Sequence, residues 1–169
     1  MTGPSNRQLG LQLLLCLVLV GCGFQLKGSG SGPSNSLEGR NIALISAQPR
    51  AELSAAVVHQ LGLEGATIVE PEPSTLVFKL GAERFQQRNL SLTAQARSAE
   101  VELTLSASIE LLRDRQVLVA NTEARVVRQF LNDPRNVVGK TEELRLLRQE
   151  MRQDLAAQIT RRISHSLRN

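Results

Sequence analysis

The clearest structural signal in this 169-residue chain is the stretch Val101-Glu102-Leu103-Thr104-Leu105-Ser106-Ala107-Ser108-Ile109-Glu110-Leu111. Apolar and polar side chains alternate along it without a break. A period of two sends successive side chains to opposite faces of a β-strand, so one face is buried on a core and the other meets water. The stretch therefore predicts a long amphipathic strand of an antiparallel sheet.

The segments around this strand predict the rest of the sheet. Residues 113–116 form a predicted turn, and residues 117–130 return as a partner strand with Leu118, Ala120, Ala124 and Val126 on one face. Upstream, the alternating residues 76–80 predict a further strand, and residues 42–45 a short one. A run at residues 67–70 is predicted to be extended, and residues 86–98 to form a polar loop.

Two helices complete the predicted core. Leu53, Ala56, Val57 and Leu61 recur at helical spacing, and Gly62 and Gly65 follow to end that helix. Asp133-Pro134 predicts the start of a second helix, whose opening turn Gly139 is expected to interrupt. Its apolar stripe consists of Leu144, Leu147, Met151, Leu155, Ile159, Ile163 and Leu167.

Each helix has a single apolar stripe, and the apolar sheet face gives both a surface to cover. The predicted fold is an α/β two-layer sandwich, with two helices packed on one face of a four- to five-stranded, mainly antiparallel sheet.

The N-terminal region indicates export and lipid attachment. Leu19-Val20-Gly21-Cys22 has the form of a bacterial lipobox, in which the cysteine is acylated and the chain is cut before it. It follows Arg7 and an apolar run of about 12 residues, which is too short to span a bilayer. Two or three acyl chains hold a protein stably on a membrane. Gly23, in place of the Asp that retains lipoproteins on the inner membrane, favours the outer membrane.

These signals divide the chain into three parts. Residues 1–21 are a predicted signal peptide, residues 22–39 the acylated N-terminus with a Gly- and Ser-rich tether, and residues 40–169 one α/β domain. The mature chain keeps 19 Lys and Arg against 16 Asp and Glu, since Arg7 is the only charge removed. Because Cys16 leaves with the signal and Cys22 is acylated, no disulfide and no cysteine metal site is expected.

Few residues offer catalytic or cofactor chemistry. His59 and His165 have no partner at metal-ligand spacing, and neither a nucleophile elbow nor a phosphate loop is present. Tryptophan and tyrosine are absent, which argues against stacking on nucleic-acid bases. The chain is therefore predicted to be no enzyme and to bind neither cofactor, metal nor nucleic acid.

Basic side chains are the remaining candidates for a site. They are Arg84, Arg88, Arg97, Arg125, Arg128, Arg135 and Lys140. Several guanidinium groups at one sheet edge or loop would suit phosphates through bidentate hydrogen bonds. A solvated charged surface is the alternative interpretation for any single residue.

Motifs at both ends of the mature chain resemble the LptE family of lipopolysaccharide-assembly lipoproteins. The first is Cys22-Gly23-Phe24-Gln25-Leu26-Lys27-Gly28, and the second is Arg128-Gln129-Phe130 followed by Asn132-Asp133-Pro134 and Lys140. The order of strand, helix, strands and long terminal helix agrees as well. The loop before Ala99-Glu100 departs from the family pattern, because Arg97 is shifted and Val101 replaces an aromatic residue.

The resemblance implies a plug inside the outer-membrane barrel protein LptD, which helps that barrel to assemble and delivers lipopolysaccharide to the cell surface. It implies an outer-membrane lipoprotein, anchored on the periplasmic side and seated in the barrel lumen. Lys140 lies where the family often carries a basic residue. Lys140, Arg97, Arg88 and Arg128 are therefore the predicted lipopolysaccharide-binding residues, and Cys22 the lipid-attachment residue.

Two other hypotheses remain open at this point. A generic outer-membrane lipoprotein could scaffold another envelope complex with the same fold and anchor. A lipid-anchored hydrolase is the third hypothesis, because a Ser-His-Asp site is recognised by geometry and not by sequence order.

Overall fold

In the computed structural model, a central 16-residue strand carries the sheet. The structure describes residues 37–72, 76–92, 98–131 and 137–168, which belong to one compact unit. The elements are β1 (Asn41–Ser46), α1 (Glu52–Leu63), β2 (Thr67–Ile68), β3 (Leu76–Leu80), β4 (Arg84–Leu92), β5 (Ser98–Arg113), β6 (Gln116–Leu131) and α2 (Val137–Ser166).

Strand β5 makes antiparallel pairs on both of its edges. One edge is taken by β6, and the other is shared by β3 and β4, which follow one another along it. Beyond β3, strand β1 pairs with β3 and with β2, both in parallel. The sheet therefore has six strands and is mixed.

A one-residue bulge separates β3 from β4. Leu80 pairs with Ile109 and Arg84 with Ser106, so four steps on one strand oppose three on β5. At the break, the Gly81 amide donates to the Ser108 carbonyl at 2.8 Å. A Cβ at Gly81 would lie 2.1 Å from Ser108 Oγ, so a larger residue there would force the Ser108 side chain to move. Bulges increase local twist, and this one and further register shifts along β5 curl the sheet.

The prediction of a mainly antiparallel, four- to five-stranded sandwich is correct for two helices and a sheet but wrong in two respects. Helix α1 connects β1 to β2, and a helical crossover between strands of one sheet makes them parallel. Residues 84–92 are also a strand, where the sequence predicted mostly loop. Of the side chains described on β4, only Phe85 is partly buried, so no apolar alternation marks the strand.

The predicted core is confirmed. The six apolar residues from Val101 to Leu111 on β5 are at most 2% exposed. Met151, Leu155, Ile159 and Ile163 of α2 are fully buried against them, together with three residues of α1: Leu53, Val57 and Leu61. Leu144, Leu147 and Leu167 are partly buried at the margin of the same core.

The β5–β6 turn is a tight two-residue connection. Asp114 and Arg115 have φ angles of 49° and 67°, the left-handed pair of a type I′ turn, whose twist matches that of the strands. A register shift follows, because Ile109 pairs with Thr122 but Leu111 with Val119. The shift reverses the side-chain alternation, so Ala120 is exposed and its predicted inward position is wrong.

Helix α1 ends as predicted at its glycines. Gly65 has φ 88°, and the amides of Gly65 and Ala66 donate to the carbonyls of Gly62 and Leu61, which is a Schellman motif. The Gly39 amide then donates to the Gly65 carbonyl at 3.0 Å. Leu37 is fully buried in the core, three residues before residue 40, the predicted start of the domain.

Helix α2 runs without interruption through Gly139, so the predicted break there is wrong. The other 29 residues of the 30-residue helix outweigh the cost of one glycine, about 1 kcal/mol. The predicted Asp133-Pro134 cap lies outside the described residues.

The inner face of β5 gives a direct test of the core. Leu105→Asp places a carboxylate at a fully buried position and should cost about 5 kcal/mol or more, comparable to the whole stability of a domain. Circular dichroism and chemical denaturation should show an unfolded chain.

Thr104→Asp is the matched control, since Thr104 lies on the opposite, polar face of the same strand. It should change the unfolding free energy by less than about 1 kcal/mol. A folded Leu105→Asp variant would contradict the assigned face.

Candidate functional site

Two depressions lined by arginines are present in the described part of the chain. One, of about 370 Å³, lies between α2 and the start of β4, and we call it the helix groove. The other, of about 430 Å³, lies on the solvent side of β4, β5 and β6, and we call it the polar sheet face. The core separates the polar sheet face from the helices, because successive residues of a strand alternate between faces.

The helix groove is built beside a partly buried ion-pair cluster that joins α2 to the β3–β4 break. Glu83 lies in that break, and Arg148 and Arg152 lie one turn apart on α2. Arg152 donates to both oxygens of Glu83, from Nε at 2.7 Å and from Nη2 at 2.9 Å, and Arg148 Nη2 donates to Oε1 at 3.1 Å. Arg152 also pairs with Glu52 at the start of α1. The cluster therefore fixes both helices to the bulge.

Electrostatics keeps Glu83 charged in the folded protein. Its burial alone would raise the pKa, but the hydrogen bonds and charges of Arg152 and Arg148 outweigh burial and lower the pKa below its usual value of 4.5. The hydrogen bonds that Arg152 donates to Glu83 correspondingly raise the pKa of Arg152. The side chains of Glu83 and Arg152 are only 8% and 15% exposed, so solvent screens this pair weakly.

Arg148 connects the cluster to the groove. Its guanidinium carbon lies 4.4 Å from the centre of the Phe85 ring, in a cation–π contact, and its Nε is buried without a hydrogen-bond partner in the described structure. Leu144 adds a second apolar side chain to the lining, and Thr141 and Gln149 add polar groups. The groove thus combines apolar and hydrogen-bonding surface, as in small-molecule binding sites.

Two of the predicted lipopolysaccharide-binding residues carry ion pairs in this structure. Arg88 on β4 pairs with Glu102 on β5 at 3.1 Å. Arg128 on β6 pairs with Asp154 of α2 and also donates to the carbonyl of Val127 at 3.2 Å.

The described candidates are not brought together into one site. Arg88 shares a row with Glu102 and Gln129 on the polar sheet face, and Arg128, the neighbour of Gln129, points to the helix side. Lys140 is half-buried in the first turn of α2. It lies 14 residues from Asp154, which is about 21 Å along the helix.

Cys22, Arg97 and Arg135 lie outside the described residues, so their predicted roles stay predictions. Both histidines are exposed, His59 on α1 and His165 near the end of α2. Within the described ranges, no group of three or more potential metal ligands occurs. No helix in those ranges is long and apolar enough to cross a membrane.

The Glu83 cluster is the feature that sequence reasoning missed. Arg148 and Arg152 have the spacing of one helical turn, which is a readable signal. Their acidic partner has no such signal, because Glu83 lies in a three-residue break between strands and is 65 residues away from Arg148.

The described part of the chain is a domain of two helices and six strands with two arginine-lined depressions. Because a fold alone does not define a function, comparison with known proteins is needed to assign the class. The model of the family LptE, described as lipopolysaccharide-assembly, matches residues 40–163. The chain therefore belongs to the LptE family.

Individual relatives agree. The LPS-assembly lipoprotein LptE of Photorhabdus laumondii is 29% identical over 151 residues, covering 89% of this chain and 81% of that protein. The protein of the same name from Yersinia pestis is 30% identical over 155 residues, covering 89% and 72%. The crystal structure of the rare lipoprotein B from Shewanella oneidensis superposes with a TM-score of 0.70 at 25% identity, covering 75% of this chain and 96% of that one.

Family membership confirms the resemblance found in the sequence. It supports a role as a lipopolysaccharide-assembly lipoprotein of outer-membrane biogenesis, associated with the lipopolysaccharide transport machinery.

The Glu83 cluster predicts a pH-dependent contribution to stability. A carboxyl whose pKa is lowered by folding stabilises the fold above its unfolded pKa, and this contribution is lost as the pH falls through the folded value. Glu83→Gln should therefore lower the unfolding free energy by about 3 kcal/mol at pH 7. The difference from the parent protein should shrink steadily below pH 4.5, as measured by denaturant titrations at several pH values.

Glu142→Gln is the control, because Glu142 pairs with Arg145 on the exposed surface of the same helix. The Glu142→Gln variant should have nearly the same unfolding free energy as the parent protein at every pH tested. An equal effect of the two substitutions would contradict the structural role of Glu83.

Proposed function

We propose that this chain is a non-enzymatic subunit of the outer-membrane lipopolysaccharide translocon, which sits inside an LptD-type barrel, aids its assembly and binds lipopolysaccharide. The observation that carries the proposal is the family match, which extends from residue 40 to residue 163 and so includes all six strands and most of α2.

The polar sheet face supports a position in a hydrated lumen. Strands β4, β5 and β6 present only polar or charged side chains around its depression, among them Gln86, Thr104 and Arg125. The apolar face of β5 and the inward residues of β6 are covered by the helices. A surface of this kind can lie against a wet barrel wall without exposing the core.

The lipobox supports the membrane attachment. Acylation of Cys22 would tether the domain to the periplasmic leaflet of the outer membrane, as Gly23 in the next position favours. The Gly- and Ser-rich residues that follow would leave the domain free to enter the barrel from there.

Lys140 is the first candidate for contact with the lipid phosphates. It lies in the first turn of α2, where the helix dipole disfavours a cation but favours a bound anion. The described side chains offer it no ion pair, in contrast to Arg88 and Arg128. Arg97 remains a candidate from the sequence. Arg88 and Arg128 could bind the lipid phosphates only by breaking their ion pairs with Glu102 and Asp154.

Depletion of the chain tests the proposal as a whole. Loss of the protein should reduce lipopolysaccharide at the cell surface and leave the barrel immature, because both depend on the subunit. Surface labelling of lipopolysaccharide and the electrophoretic mobility of the barrel measure the two effects. Normal surface lipopolysaccharide and a mature barrel after depletion would refute the proposed function.

Cys22→Ala tests the anchor. The variant should lack the acyl mass increment and move from the membrane to the soluble fraction, because two or three acyl chains supply the membrane affinity. Intact-mass spectrometry and membrane fractionation measure both effects. Cys16→Ala is the control and should be acylated normally, and an unchanged mass for Cys22→Ala would disprove acylation at that residue.

Lys140→Glu tests the phosphate contact. Charge reversal should weaken binding of lipopolysaccharide at least about tenfold, and binding of a neutral phospholipid much less. Arg161→Glu is the matched control, because Arg161 is an exposed cation near the other end of the same helix. Equal losses for the two variants, or for the two lipids, would exclude a specific contact at Lys140.

A further inference from the structure

A row of apolar residues crosses the solvent side of the sheet near the β5–β6 turn. The row follows the register of β1, β3, β5 and β6 and consists of Ala43, Val77, Leu112 and Val117. Ile45 lies two residues after Ala43 on β1, and residues two apart on a strand share a face. We call these five residues the apolar sheet patch.

The patch lies on the side of the sheet opposite the core. Ile42 and Leu111, which precede two of its members along the chain, are buried in the core cluster. Successive residues of a strand point to opposite faces, so the members of the patch point away from the core. Ala43 agrees with this arrangement, because it is fully buried but lies outside the core cluster.

Two members of the patch are open to solvent. Val117 is 54% exposed and Ile45 is 46% exposed. The solvent side of an antiparallel sheet is normally polar, and the polar sheet face on β4, β5 and β6 follows this rule. An exposed apolar patch on a folded domain indicates a contact with a partner or a membrane.

The position of the predicted lipid anchor in the chain indicates what covers the patch. Leu37 and the turn after it lead directly into β1, the strand that contributes Ala43 and Ile45. Cys22, the predicted attachment residue, precedes Leu37 by 15 residues, which reach at most about 50 Å. An anchor at Cys22 therefore keeps the patch close to a bilayer, where a high effective concentration favours even a weak apolar contact.

We propose that the apolar sheet patch rests on the lipid surface of the bilayer that carries the anchor, with Val117 and Ile45 at the boundary of the acyl chains. This inference depends on the acylation of Cys22 that is part of the proposed function. The contact belongs to the lipoprotein outside a barrel, so it neither requires nor excludes entry into one. Lys79 and Glu110 pair at 2.8 Å beside Ile45, so the contact needs no anionic lipid and persists at high salt.

A tryptophan in the patch can report the contact, because the chain has no tryptophan or tyrosine of its own. The full-length acylated Val117→Trp variant is reconstituted into phosphatidylcholine vesicles with ordinary or brominated acyl chains. Bromine quenches tryptophan only on close approach, so the emission should shift to the blue in ordinary vesicles and lose intensity in brominated ones. Gln86→Trp, at an exposed position of the polar sheet face, is the matched control and should show neither change.

A second substitution separates the patch from other exposed apolar residues. In the Val117→Trp chain, Ile45→Glu should restore the emission in brominated vesicles, because moving a carboxylate to the acyl-chain boundary is costly. Leu146→Glu is the matched control, because Leu146 on α2 has nearly the same exposure as Ile45 and lies outside the patch. It should leave the quenching unchanged. Circular dichroism checks that each variant is folded.

Flotation of the same vesicles separates this inference from the anchor itself. A chain that floats without quenching of Val117→Trp overturns the patch contact and leaves the proposed function intact. A chain that does not float overturns the anchor and the contact together. Quenching that disappears at high salt, or that survives Ile45→Glu, also overturns the contact. A blue shift that depends on protein concentration and not on lipid overturns it too, because a second copy of the chain then covers the patch.

Discussion

Strand β5 is hydrogen-bonded along both of its edges, and the packing of the whole domain follows from these pairings. Its 16 residues hold β6 on one edge and both β3 and β4 on the other, and its inner side chains form the floor of the core. Both helices need that apolar floor, because each has one stripe to bury. The outer side chains of the same strand form the middle of the polar sheet face. One strand therefore sets both the packing and the candidate binding surface.

The bulge at residues 81–83 lets one chain segment serve two purposes. Strand β3 faces β1 and helps to enclose the core, whereas β4 extends away as an edge strand with mostly polar side chains. Glu83 attaches the bulge to α2, because its carboxylate forms ion pairs with two arginines of that helix. A buried pair of this kind adds little net stability over an apolar contact, but removing one partner is costly. The pair holds α2 against the break between β3 and β4.

Local periodicity allowed much of this fold to be predicted from the sequence. The pairing between distant segments of the chain could not be predicted in this way. The alternation on β5 and the stripes on both helices are signals that neighbouring residues carry, and the structure confirms them. Strand β4 has both faces in water for most of its length, so its sequence contains no period. The parallel order β2-β1-β3 arises from contacts between distant segments. The sequence could have shown that Arg128 and Arg88 lie on different faces of the sheet. Arg128 is separated by even numbers of residues from Ala124 and Val126, which point inward, and residues two apart on a strand share a face.

We propose that this LptE-family domain functions as a stoichiometric subunit of the lipopolysaccharide translocon. Purification of the tagged full-length chain from detergent-solubilised outer membranes, followed by quantitative mass spectrometry, tests this proposal. We expect one barrel protein of the LptD type in equimolar amount. Recovery of the chain alone, or with an unrelated envelope complex, would refute the proposal and leave an outer-membrane lipoprotein that serves as a scaffold elsewhere.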